Sequence, residues 1–356
     1  MVDMPFGVSR LDSMLDGGVP TGSVVLLATE PGAGGRKFAQ TSAAMNALAT
    51  TDNEAFERHY RGIDHEGVIV PASVHYLSVA ATTDSLEAAL TETVSTEIAA
   101  RAAAGITYHD LSATYFDATD VPAAWYQDSD DPPSLPPEPA ADGDTVSDGD
   151  SDDAVENDEA ADPFDYGETT ATIPSDDAGD STTAGDGTNA AATDAGDTVA
   201  SDASSTTGAG RDASGATDTP AILSALRASL DDAVGGNLVV IDAITDLDDL
   251  SDDVVSWAAV VRLLRGLTRM VTARGGLVLV VADAEAVTDA QLGSLSAATT
   301  GTLSFGWETG GSQRARLLSI RELPGALDRL DRDEIAAFES ELHDRGYDLS
   351  NVRKIR

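Results

Sequence analysis

Residues Thr29 to Lys37, Thr-Glu-Pro-Gly-Ala-Gly-Gly-Arg-Lys, follow the apolar run Val24-Val25-Leu26-Leu27 and precede a helix-like segment. A glycine turn between a strand and a helix is the setting of a phosphate-binding loop, G-x-x-x-x-G-K-[ST]. In that loop backbone N–H groups cradle phosphates, the lysine reaches the β- and γ-phosphates, and the hydroxyl ligates Mg²⁺. Here Gly34 takes the second glycine position, Thr29 the first, Gly35 the lysine and Arg36 the hydroxyl, while Lys37 comes two places too late. The expected nucleotide-site residues are therefore Gly32, Gly34, Gly35, Arg36 and Lys37. They keep the anion affinity of a helix N-terminus but lack the loop's charge and metal contacts. ATP with Mg²⁺ is the cofactor pair this outline raises, and the residues by themselves assign neither.

A second candidate is Asp242, which ends the apolar run Leu238-Val239-Val240-Ile241. A strand-end carboxylate in this position can hold the water shell of a nucleotide's magnesium, and it can equally be a plain end-of-strand charge. Asp64-His65-Glu66 with His59 lacks the spacing that converges metal ligands, so it reads as solvated loop and no metal site is assigned. No G-x-S-x-G elbow is present, and the five histidines are scattered, so no catalytic residue is assigned. Zero cysteines exclude disulfides, thiol catalysis and Cys-ligated metals.

The elements that must position these residues follow from periodicity. Leu11, Met14 and Leu15 share one face of a short helix that Gly17-Gly18 ends. Ser23 to Ala28 reads as a buried strand, Gly35 to Leu48 as a helix, and residues 51–72 as polar and irregular. Strands are expected at Val74–Val79, Gly105–Leu111, Leu238–Asp242 and Leu277–Ala282. Helices are expected at Thr83–Ala103, from Thr219-Pro220 to Gly235, at Asp252–Ala273 and near Thr288–Leu295. Thr302–Trp307 and Gln313–Arg321 alternate as a hairpin around Glu308 to Ser312. Asp333–Arg345 reads as an amphipathic helix with Ile335, Phe338 and Leu342 on one side.

The chain of 356 residues carries a net charge of −41, with two lysines against 19 arginines. That balance resembles the proteins of salt-in haloarchaea, and it disfavours nucleic-acid binding, which needs a basic face. From Asp128 to Asp218 there are 25 acids and one base, Arg211, among small polar residues. Such a segment buries too little apolar surface to offset the entropy of ordering and is expected to be disordered. The longest apolar runs fall well short of the ~20 residues of a membrane span. With no signal pattern at the N-terminus, a cytoplasmic location is expected.

The frame Phe6-Gly7-Val8, Leu11-Asp12, Leu15, Gly17-Gly18-Val19-Pro20, Gly22-Ser23-Val24-Val25-Leu26-Leu27, followed by the glycine loop, resembles the start of the RecA-type ATPase core of the KaiC/RadA/GvpD family. The resemblance implies an α/β RecA-like P-loop fold: a mostly parallel sheet with helices on both faces and a C-terminal antiparallel hairpin. It also implies a pair of glutamates after the second core strand, one of them the general base for water. Ala80-Ala81 stands there. Arg321-Glu322-Leu323 stands where relatives carry Lys-x-Arg, a finger that reaches a neighbour's γ-phosphate, and Ala243 stands where they usually carry serine. The recombinases' DNA-binding loop corresponds to a stretch with Asp283, Glu285 and Asp289 and no cation.

The implied organisation is a first part of the core at 1–127, the acidic insertion at 128–218, a second part at 219–330, and a C-terminal helix and tail at 331–356. The losses touch phosphate binding, metal binding, water activation and transition-state charge, so the expected function is that of a degenerate pseudo-ATPase. It would act through protein contacts in regulation, signalling or assembly, with a protein partner or an active paralogue and self-association as the partners to test. A nucleotide sensor, or an active ATPase using Arg36 or Lys37 in a non-standard loop, is the alternative.

Overall fold

The computed structural model describes residues 2–60, 67–127, 219–308, 315–325 and 337–353. The acidic insertion at 128–218, the Asp64-His65-Glu66 cluster, the hairpin turn at 309–314 and residues 326–336 lie outside them.

A short ribbon, β1 (Asp3–Met4) with β2 (Val19–Pro20), brackets helix α1 (Ser9–Met14). The chain then enters β3 (Ser23–Thr29), all seven residues of which are buried. Val25 and Leu27 feed the core on one face, while Val24 and Leu26 feed the core on the other. Burial on both faces explains the unbroken apolar run, and each of these side chains contributes about 1.5–3 kcal/mol on leaving water.

After the loop comes α2 (Gly35–Thr51), then α3 (Asn53–His59), β4 (Val74–Ser78), α4 (Thr83–Thr93), α5 (Thr96–Ala103), β5 (Ile106–Asp110) and α6 (Ser112–Phe116). The chain resumes with α7 (Ala221–Ala233), β6 (Leu238–Asp242), α8 (Trp257–Arg274), β7 (Leu277–Asp283) and α9 (Asp289–Ser296). It closes with β8 (Gly301–Trp307), β9 (Arg316–Glu322), β10 (Ala337–His343) and β11 (Gly346–Arg353).

One nine-stranded sheet has the order β11-β10-β9-β8-β3-β7-β6-β4-β5. From β8 to β5 every pairing is parallel, and from β8 to β11 every pairing is antiparallel. The parallel part requires crossover connections, and these put helices on both faces. The core around α2 lies on one face, and that around α7 and α8 on the other.

Three expectations are corrected. Asp333–Arg345 is not a helix: its described part is β10, paired through the two-residue loop Asp344-Arg345 with β11. The apolar spacing of Phe338 and Leu342 suits a helix, but Gly346 at φ +99° makes a tight turn, and the alternate burial of Tyr347 and Leu349 is a strand's period of two. Residues 51–72 are not wholly irregular, because Asp52 accepts from the Ala55 N–H and caps α3. The single helix over 83–103 is two, broken where Ser95 caps α5 by accepting from Ile98 N–H.

Candidate functional site

The loop between β3 and α2 turns through Gly32 (φ +72°) and Gly34 (φ +109°), the latter serving as a left-handed N-cap. The Gly35 N–H donates to Thr29 Oγ1 at 3.3 Å, so the threonine in the first glycine's place satisfies one of the helix's open donors. That bond has a steric consequence. A Cβ on Gly35 would sit 2.7 Å from the Thr29 Cβ, so the space a lysine needs at position 35 is filled by Thr29. The two departures from the phosphate-loop pattern are one packing solution.

The outer side of the loop is fastened to the antiparallel strands. Trp307 Nε1 donates to the Pro31 carbonyl at 3.0 Å, and Arg316 Nε to the Gly32 carbonyl at 2.9 Å. The Arg316 guanidinium lies 5.2 Å from the centroid of the Trp307 ring, a cation–π contact. Tyr347 of β11 covers Gly34, where a Cβ would come 2.9 Å from its ring. The same ring packs edge-on to Phe38 and Phe305. A cleft of about 250 Å³ remains beside the loop, lined by Gly34, Gly35, Arg36, Lys37, Asp283 and Arg316 among others.

Asp242 lies at the C-terminal end of β6, two strands from the loop strand with β7 between them. Its carboxylate is 7% exposed and engaged on both oxygens: Oδ1 accepts from Arg36 Nε at 2.8 Å and Oδ2 from the Tyr76 hydroxyl at 2.8 Å. Burial pulls the Arg36 guanidinium down, but the charge and hydrogen bond of Asp242, followed by the charge of Asp246, outweigh it and hold it above the ordinary arginine value. Burial, then the Asp242 charge, raises the Tyr76 hydroxyl well above the usual tyrosine range, so it stays a neutral donor. Burial also raises Asp246 to about 6, against its hydrogen bond from the Ala243 N–H and the charge of Arg36.

Lys37 is directed elsewhere. Its Nζ lies 3.8 Å from Glu92 Oε2 on α4. Ala80 and Ala81 line a second cleft of about 360 Å³ together with Arg36, Asp242 and Asp246. The methyl groups that replace the implied glutamates thus face the Arg36–Asp242 pair and supply no base. Arg321, at the far end of β9 from the loop, donates to Ser304 Oγ at 3.3 Å; Arg316 is the cation of that strand at the loop end.

Parallel strands with the glycine loop after β3, the acid at the end of β6 and one strand between, closed by antiparallel strands beyond β8, define the architecture. The fold is a mostly parallel α/β sheet with antiparallel strands at one end, the arrangement that the RecA-type resemblance implies. No protein-family model and no curated protein matches the chain. Among solved structures the chain is similar to the flagellar accessory protein FlaH of Methanocaldococcus jannaschii, with a TM-score of 0.47 and 11% identity over 96% of this chain and 95% of that one. It is also similar to a KaiC-like protein of Pyrococcus horikoshii, with a TM-score of 0.48 and 10% identity over 98% of each chain. No helix among the described residues is long and apolar enough to cross a membrane.

The structure gathers Gly32, Gly34, Gly35, Arg36 and Lys37 along one cleft, with the Lys37 ammonium turned toward Glu92 of α4; Asp242 lies outside that cleft and joins it only through Arg36. A magnesium ion does not fit this site. Both Asp242 oxygens are occupied by fixed donors, and the position that would carry a ligating hydroxyl carries the guanidinium itself. Sequence reasoning missed Tyr76, Trp307, Arg316 and Tyr347. A tyrosine inside a buried strand was the one usable signal, because its hydroxyl needs a partner.

Proposed function

We propose that this chain is a KaiC-like member of the RecA-type proteins whose phosphate loop serves as a structural turn, and that it acts through protein contacts rather than ATP hydrolysis. The observation that carries this reading is the Arg36–Asp242–Tyr76 constellation. A permanent guanidinium charge stands at the position the phosphate-loop pattern gives to the magnesium-ligating hydroxyl, and it neutralises the Asp242 carboxylate. Ala80-Ala81 adds the second loss: with no carboxylate or imidazole there, water has no general base at that position.

The role consistent with this chemistry is regulation, signalling or assembly, with an active paralogue or further copies of the chain as partners. The strongly acidic composition supports a cytoplasmic protein of a salt-accumulating archaeon and argues against nucleic acid as a ligand. A second reading, a sensor that binds nucleotide without hydrolysing it, is favoured by the cleft of about 250 Å³ beside Gly34, Gly35 and Arg316.

Titration calorimetry of the full chain with ATP, with and without Mg²⁺, separates the two. A structural turn gives no heat and no rise in melting temperature under either condition. A sensor gives heat and a thermal shift that do not require Mg²⁺.

A further inference from the structure

In a chain of net charge −41, the stretch between Asp253 and Asp283 holds four arginines and no carboxylate. All four lie on α8. Arg274 reaches Asp231 of α7 at 3.8 Å. Arg262, Arg265 and Arg269 are exposed and, among the described residues, make no ion pair or hydrogen bond. Every other arginine whose side chain is described has a partner. Spacings of three and four residues put these three on one stripe of the helix.

Beside that stripe runs a groove between α7 and α8. Its floor is apolar, formed by Leu230, Leu263, Gly266, Leu267 and Met270, and its volume is about 260 Å³. Arg227 and Asp231 of α7 stand on the opposite rim, the Asp231 carboxylate set against Arg274 rather than left free. Gly266 sits inside the helix, where glycine costs about 0.5–1 kcal/mol relative to alanine. A Cβ there would meet nothing within 4 Å, so no contact inside the chain requires its absence. A bare backbone at the bottom of an open groove lets another backbone approach closely.

We propose that this groove is the docking site for an acidic amphipathic helix of a partner protein. Apolar side chains spaced i, i+4 and i+7 would lie over Gly266, with Asp or Glu toward Arg262 and the stripe it shares with Arg265 and Arg269 on one side, and toward Arg227 on the other. Charge complementarity selects the occupant. Three unpaired guanidinium groups on an otherwise acidic surface form a local field of one sign, which favours carboxylates and repels the chain's own basic stripe in a second copy. The concave apolar floor argues against a membrane surface, which is flat. The site is remote from the loop and stands whether or not a nucleotide binds there.

Fluorescence anisotropy tests this with the full chain. The probe is a labelled synthetic peptide of about four helical turns, with leucines at i, i+4 and i+7 flanked by glutamates. Control peptides carry lysine for each glutamate or serine for each leucine. Arg262→Glu/Arg265→Glu/Arg269→Glu and, separately, Gly266→Leu, which fills the groove while favouring the helix, are each expected to weaken binding of the acidic peptide about tenfold or more, with circular dichroism unchanged. The lysine and serine peptides are expected not to bind. The proposal is overturned if the acidic peptide does not bind or binds both variants as well as the parent. Equal binding of the serine peptide, or preferred binding of single-stranded DNA or of phosphatidylglycerol vesicles at this groove, overturns it as well.

Discussion

Arg36 Nε lies 2.8 Å from Asp242 Oδ1, joining the first turn of the helix after the glycine loop to the end of a strand two places away in the sheet. The carboxylate is buried and the arginine side chain is 46% exposed, so the pair is held at the base of a cleft rather than sealed in the core. Arg36→Met leaves Asp242 with Tyr76 alone. The expected loss is about 1–3 kcal/mol, below that of a fully buried pair because solvent reaches the arginine. Denaturant unfolding of Arg36→Met, Asp242→Asn and the double variant checks it. The double variant is expected to lose less than the sum of the single ones, and strict additivity would show that the two groups do not interact.

The coupling between Thr29 and Gly35 predicts the behaviour of repaired loops. Gly35→Lys alone places a Cβ 2.7 Å from the Thr29 Cβ and is expected to lower the melting temperature without creating a nucleotide site. Thr29→Gly/Gly35→Lys/Arg36→Ser removes the obstruction and frees Asp242 together. ATP with Mg²⁺ is expected to raise the melting temperature of the triple variant more than that of Gly35→Lys. Equal responses would show that steric filling by Thr29 is not what keeps lysine out.

Gly34 holds φ +109° directly beneath Tyr347. Gly34→Ala is expected to cost about 1–3 kcal/mol, from the left-handed backbone and the contact with the ring. Adding Tyr347→Leu is expected to recover the steric part and leave the conformational part. Equilibrium unfolding of both variants measures the split.

Asp12 accepts from the Phe6 N–H at 2.7 Å, the Gly7 N–H at 2.9 Å and the Tyr60 hydroxyl, and burial raises its carboxyl to about 7 despite these bonds. A carboxyl raised on folding binds more protons in the native state. Its stabilising contribution is therefore complete below the unfolded value near 4 and is lost as pH rises through about 7. Asp12→Asn is expected to flatten the stability curve between these limits, by at most about 4 kcal/mol. Unfolding free energies of both proteins from pH 4 to 8 decide this, and parallel curves would remove Asp12 as the cause.

The parallel core was legible because strands buried on both faces announce themselves. Val24 to Leu27 and Leu238 to Ile241 are unbroken apolar runs, the first leading into the glycine loop and the second ending at Asp242. The C-terminal strands were not legible, because Phe338 and Leu342 satisfy a helical period as well as they satisfy a strand, and only the pairing of β10 with β9 decides between them. At the site, the departures from the phosphate-loop pattern were visible residue by residue. What filled the gaps was not, since Tyr76, Trp307, Arg316 and Tyr347 reach the loop and Asp242 from strands far away in the chain. Arg36 illustrates the limit: its type and position were plain, but its partner is 206 residues on.

The central claim is that a fixed guanidinium has displaced metal chemistry from Asp242. Its most direct test is the Mg²⁺-dependent release of inorganic phosphate from ATP by the full-length chain, measured beside Asp242→Ala and a denatured control. The account predicts that parent and variant both stay at the level of the denatured control at every Mg²⁺ concentration. Turnover by the parent that rises with Mg²⁺ and disappears in Asp242→Ala would contradict it.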